Sequence, residues 1–194
     1  MSTKSLEMIW HPKQYSSDPN IYIFTQVNYF HYSPPPGFCF DLLCKSEPIK
    51  DDPNLEGYNL VDKSNTLADY FKSMSLHFRT KNLMHTLGED FHFANAHMWY
   101  KNVDKLIKFI NERPEYGMKI IYSTPLDYIN AIREEDQSYP TKEDDFFPYA
   151  DFQHAYWTGY FTSRVAVKGF VRDLGRYIQA SRKHISELKL KGAS

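Results

Sequence analysis

The sequence is short of cysteine, of excess charge and of long apolar runs, and each shortage narrows what the chain can be. Its two cysteines, Cys39 and Cys44, both stand in "PPPGFCFDLLCK". C-x4-C without a second cysteine pair is a poor zinc signature. The spacing fits either a small disulfide loop or two buried free thiols. The net charge is −1 with Lys and Arg scattered, which leaves no electrostatic footprint for nucleic acid. No stretch approaches ~18 consecutive apolar residues, so no membrane-spanning helix is expected. The opening "MSTKSLEMIWHPKQY" lacks the apolar segment of a signal peptide, which by itself points to the cytosol. The eight histidines form no H-x-D or H-E-x-x-H spacing, and His92 and His97 read as surface or satisfied core. Glycine-rich phosphate loops, G-x-S-x-G elbows and Cys/His nucleophile patterns are also missing.

What is present suits a globular protein. A chain of 194 residues, 42% hydrophobic, builds one domain with a real core or a large piece of a bigger one. Aromatics reach 16%, many of them between Asp144 and Phe161. Flat rings beside carboxylates can pack on sugars, but large core residues are their commoner use. Tyr22–Val27, Leu83–Leu87 and Met118–Ser123 read as strands. Helical spacing covers 65–78 and 95–111, a third helix follows Pro125, and a long amphipathic helix runs from Ser163 onward. Helices alternating with strands predict an α/β fold with parallel pairing.

Within that scheme Glu89 and Asp90 follow Gly88 at the C-terminal end of a predicted strand, where parallel β/α folds collect functional side chains. Neighbours in extended chain point apart, so the two are not read as a mutual catalytic pair. A second reading remains open: acids ahead of a helix stabilise its N-terminus by about 0.3–1 kcal/mol. Asp144, Asp145 and Asp151 are further acids beside aromatics.

Four blocks in order carry a resemblance: "FTQVNYFHYSPPPGFCFDLLC", "RTKNLMHTLGEDFHFANAHMWYKNVDKLIKFIN", "YSTPLDYI" and "DDFFPYADFQHAYWTGYFTSR". Together they resemble the glycoside hydrolase family 38 α-mannosidases of lysosomal type, from Ser5 to Leu188. The resemblance implies that residues 1–162 are the C-terminal part of a catalytic α/β barrel, a partial parallel β/α barrel of the family's seven-stranded type. Residues 163–194 would then start a helical bundle. It implies that Asp90 is the general acid/base, a partly desolvated carboxyl that protonates the leaving oxygen and later activates water. Glu89 would support it. Tyr32 is implied to line the substrate site, whereas His31 is assigned no role. Cys39 and Cys44 are implied to form a disulfide, in a lysosomal or secretory setting. The aromatic block would pack between barrel and bundle.

The sequence also departs from the family. The H-x-D, D-P-x-G-H-S and H-H-D-A motifs that supply the nucleophile and the ligands of one zinc are missing. Asp18-Pro19 and Asp52-Pro53 lack the G-H-S that should follow, and Val165 stands where proline is usual. The resemblance places the first two motifs upstream of Met1 and the third beyond Ser194. The expectation is therefore a fragment of a zinc-dependent retaining α-mannosidase, with zinc in the parent enzyme and none bound by this chain alone. Its partners would be a mannose-containing glycan and the missing parts of the parent polypeptide, with no nucleic acid and no membrane. The alternative is a non-catalytic remnant with weak carbohydrate or protein binding. An open barrel piece leaves strand edges and apolar faces bare, so self-association is expected.

Overall fold

The computed structural model describes residues 4–13, 18, 20–44 and 46–192. The elements run β1 (Glu7–Trp10), β2 (Ile23–Gln26), β3 (Tyr29–Tyr32), α1 (Leu60–Ser75), α2 (Ala96–Asn111), a 3-10 turn (Pro114–Tyr116), α3 (Pro125–Arg133), β4 (Thr141–Lys142), α4 (Thr158–Thr162) and α5 (Val165–Leu190). Two compact units divide between Asp144 and Asp145.

In the first unit, α1 and α2 pack together because each carries one apolar stripe at helical spacing. Leu60, Leu67, Ala68 and Met74 are buried on α1, and Trp99, Leu106 and Ile110 on α2. Phe38, Phe40 and Ile49, from the loops between β3 and α1, close the same core. Asn102 is buried on this face as a tie: its side chain accepts from the Ile49 amide at 2.7 Å and donates to the Met98 carbonyl at 2.7 Å. A capping box starts α3, where Thr124 Oγ1 accepts from the Asp127 amide and Asp127 accepts from the Thr124 amide.

The sheet differs from the expected barrel arc. It has three strands in the order β2-β1-β4. β1 pairs antiparallel with β2 in the register Glu7–Gln26 to Trp10–Ile23, and only the short β1–β4 pair is parallel. The segments Leu83–Leu87 and Met118–Ser123, read as strands, belong to no strand. Among the described residues neither makes a backbone–backbone hydrogen bond. Both line an apolar cavity of about 840 Å³ together with Phe71, Trp99 and Leu106. A strand needs a neighbour within about 5 Å to pair its amides, and among the described residues these segments have none.

The second unit corrects another expectation. Phe147, Phe152, Tyr156 and Tyr160 are exposed rather than core, and the aromatics of this block meet one another edge-on or tilted instead. The predicted long helix is present as α5, yet no residue along it is buried.

Candidate active site

The expected site forms where the chain after Leu87 turns into α2. Gly88 is buried with φ +145°, and a Cβ there would lie 3.2 Å from the Phe93 ring, so a side chain would be both strained and crowded. Beyond it the His92 amide donates to the Glu89 carbonyl at 3.1 Å. Phe91 and Phe93 sit at φ +63° and +65°, a left-handed conformation that bulky side chains adopt only when surrounding contacts enforce it.

Asp41 supplies much of that enforcement. Its carboxylate, 6% exposed, accepts from the Trp99 indole at 2.8 Å and from the Phe93 amide at 3.0 Å. Those donors, Trp99 foremost, hold the carboxyl below its ordinary 3.8. Phe93 in turn stacks on Trp99, with centroids 4.8 Å apart and planes 15° apart. Replacing Asp41 with alanine strands the buried Trp99 indole donor, at a cost of about 1–3 kcal/mol, and frees the part-buried Phe93 amide. Asp41→Ala is therefore expected to lose about 2–4 kcal/mol in urea unfolding and to shift Trp99 fluorescence to longer wavelength. An unchanged midpoint would show that the turn holds itself. Because the folded value is lowered, this contribution is complete above pH 3.8 and disappears as pH falls through the folded value.

The turn sends its two carboxylates to consecutive residues at the end of β3. The Tyr32 phenol donates to Asp90 Oδ1 at 2.5 Å. The Ser33 hydroxyl donates to Glu89 Oε2 and holds that carboxyl below its usual 4.5. The bond to Asp90 is also the main cause that raises the Tyr32 phenol far above 10.0. Asp90 is exposed and Glu89 half-buried. His31, at φ +42°, packs its ring 4.2 Å from that of Tyr32. Neither Tyr32 nor Asp90 lines the apolar cavity, so the polar cluster and that cavity are separate features.

Cys39 and Cys44 are disulfide-bonded, with Cα atoms 5.9 Å apart. The other acids are occupied locally. Asp144 pairs with Lys142 at 2.6 Å, and Asp145 accepts from the Phe147 amide at 3.0 Å. Asp52 and Asp18 accept from the amides of Asn54 and Asn20, both at 2.9 Å. Pro19 of the Asp18-Pro19 pair lies outside the described residues. Asp151 is exposed.

Asp41, Ser33 and His85 escaped the sequence reading. His85 is hydrogen-bonded to the Ser33 backbone, and burial pushes its imidazole down to about 4. Only Asp41 had a local signal, as an acid enclosed between two bridged cysteines.

Residues 1–152 match the family model described as glycosyl hydrolases family 38 N-terminal domain. The chain belongs to glycosyl hydrolase family 38. It is 42% identical over 174 residues to the lysosomal alpha-mannosidase of Dictyostelium discoideum, covering 89% of this chain and 17% of that protein. Identity to the lysosomal alpha-mannosidase of Cavia porcellus is 37% over 182 residues, covering 91% of this chain and 18% of the relative. For the Homo sapiens protein of the same name it is 36% over 185 residues, covering 92% and 18%. The chain thus spans less than a fifth of the length of these relatives.

The zinc expected of family 38 does not fit the residues around Asp90. Asp90 and Glu89 are engaged by Tyr32 and Ser33. Among the described residues the one group of three metal-ligating side chains is Cys39, Cys44 and His92, and two of these are disulfide-bonded.

Proposed function

We propose that this chain is a segment of a zinc-dependent retaining α-mannosidase that removes terminal α-mannosyl residues from glycans, in a lysosomal or secretory setting. In the whole protein its extended segments would complete a barrel and α5 would enter a helical bundle. The observation that carries this reading is the Tyr32–Asp90 hydrogen bond at 2.5 Å, formed inside the family-matched region. Asp90 is the general acid/base. Its exposure leaves it open to a glycosidic oxygen, and Tyr32 orients it and offers a ring and hydroxyl to the sugar. Glu89, tied to Ser33, fixes the turn.

Retention of configuration needs a second carboxylate about 5–5.5 Å away as nucleophile, and no acid of the sequence has the family's nucleophile motif. The isolated chain is therefore expected to bind no zinc tightly as the disulfide form and to leave an aryl α-mannoside uncut. Release of the aryl group by purified chain, abolished by Asp90→Asn, would overturn this. The second reading is a non-catalytic remnant with weak carbohydrate or protein binding. Joining the segment to a family 38 polypeptide that supplies the missing motifs separates the two. Restored turnover that depends on Asp90 supports the enzyme reading, and none supports the remnant.

A further inference from the structure

Cys39, Cys44 and His92 bring three metal-ligating atoms within 4.8 Å of one another. Sequence spacing gave no hint of this, because His92 meets the cysteine loop from 53 residues away, with its Nδ1 4.0 Å from Cys39 Sγ. We propose that reducing the Cys39–Cys44 disulfide opens a zinc site, with two thiolates and His92 Nδ1 as protein ligands. It is separate from the zinc proposed for the parent enzyme and stands or falls independently of that reading.

The geometry is close to what the ion requires. Tetrahedral zinc at about 2.3 Å from sulfur and about 2.0 Å from nitrogen sets neighbouring ligand atoms roughly 3.5–3.8 Å apart. The Cys39–His92 pair needs only a few tenths of an ångström of adjustment. Both sides of that pair are held in place. The Cys39 amide donates to Ser46 Oγ at 3.1 Å between buried Phe38 and Phe40. The His92 ring lies 5.7 Å from the Trp99 indole, and its amide closes the turn onto Glu89. The sulfurs must part once their bond is broken, and Cys44 can move. Leu42 and Leu43 beside it are 73% and 64% exposed, so the loop can give at Cys44 while buried Asp41 keeps its bonds to Trp99 and Phe93. Water fills the fourth position.

The chemistry balances. A dithiol gives two electrons and two protons to the disulfide and is itself oxidised to a disulfide. Zinc then displaces the two thiol protons and undergoes no redox change. Thiolate and imidazole ligands select zinc over calcium or magnesium. The bound ion would join the cysteine loop to the turn that carries Glu89 and Asp90.

The test is a titration of the reduced full chain, kept oxygen-free, with cobalt(II) as a coloured stand-in for zinc. One equivalent should bind, with the near-ultraviolet thiolate-to-cobalt band and visible bands of a tetrahedral site, and zinc should erase them. The disulfide form should show none of this. His92→Ala should bind about tenfold more weakly or worse, since even an outer-shell partner is worth 10–100-fold. Colourless reduced chain overturns the proposal, as does unchanged affinity in His92→Ala. Circular dichroism covers loss of structure on reduction. Helix that returns with zinc supports the site, and helix that zinc does not restore counts against it.

Discussion

Glu7→Ala is expected to lower the stability of the first unit by about 3 kcal/mol or more, a large part of the 5–15 kcal/mol that usually holds a domain folded. Glu7 is fully buried on β1. Its carboxylate accepts from the Arg79 amide at 2.6 Å and from the Tyr128 phenol of α3 at 3.0 Å. The Thr80 hydroxyl lies 3.2 Å away, but its single proton is shared with the Asn82 carbonyl at 2.8 Å. Truncation would leave the amide and the phenol without acceptors in the interior and open a cavity the size of the lost side chain. Burial, followed by the Glu7 charge, raises the Tyr128 phenol well above its usual value, so that proton stays in place as the donor at any workable pH. Glu7→Gln keeps the shape and one acceptor and should lose much less. Urea unfolding of the three proteins checks the order, and equal midpoints for Ala and wild type would remove Glu7 from the account.

The second large effect is a dependence on acidity. His85 sits edge-on to the rings of Tyr70 and Phe71, at 5.3 and 5.9 Å, and its Nε2 meets no acceptor. Burial lowers its pKa from 6.5 to about 4. Between those values the unfolded chain binds a proton that the folded chain refuses, so stability falls as pH drops from 6.5 toward 4. The full shift corresponds to at most about 3 kcal/mol, less whatever the partial solvent contact of the ring restores. Carboxylates with lowered values, Asp41 and Glu89, lose their contributions only below 3.8 and 4.5. The window from pH 6.5 to 4.5 therefore lies above these carboxylates, and comparison with His85→Gln singles out this histidine within it. Urea midpoints should fall across it in wild type and stay nearly level in His85→Gln. The same slope in both would exclude His85 as its source. If the parent enzyme works in an acidic compartment, burial of this residue opposes stability there, offset in part by the Ser33 backbone hydrogen bond, which favours the protonated ring.

The elements that could be read in advance are those whose signal is local. The stripe Trp99, Leu106, Ile110 gave α2, Pro125 at a first turn gave α3, and the aromatic and β-branched run gave β2. β1, β3 and β4 were missed because strands of four residues or fewer show too little alternation to separate from loop, and β2 was found only because its run extends past its ends. Leu83–Leu87 was read as a strand and forms none, because pairing depends on a neighbour and not on the segment itself. The site divides in the same way. Tyr32 and Asp90 are 58 residues apart, and only likeness to a family joined them beforehand. Asp41, His85 and Glu7 hydrogen-bond across the chain, Asp41 to Phe93 over 52 residues and Glu7 to Tyr128 over 121, and no spacing rule reaches that far.

The bare surface of α5 has a consequence in time. Its 26 residues extend about 39 Å, with Gly169 and Gly175 facing open space inside it. Each glycine costs about 1 kcal/mol relative to alanine, and no burial along the helix offsets that cost. Its amides have only their own hydrogen bonds as protection, so in heavy water they should exchange as fast as a helix frays. The amides of α2, closed over by Trp99 and Leu106, should exchange only when the first unit opens. Two exchange clocks would then run in one polypeptide, the fast one along α5 and the slow one beneath the turn that holds Asp90.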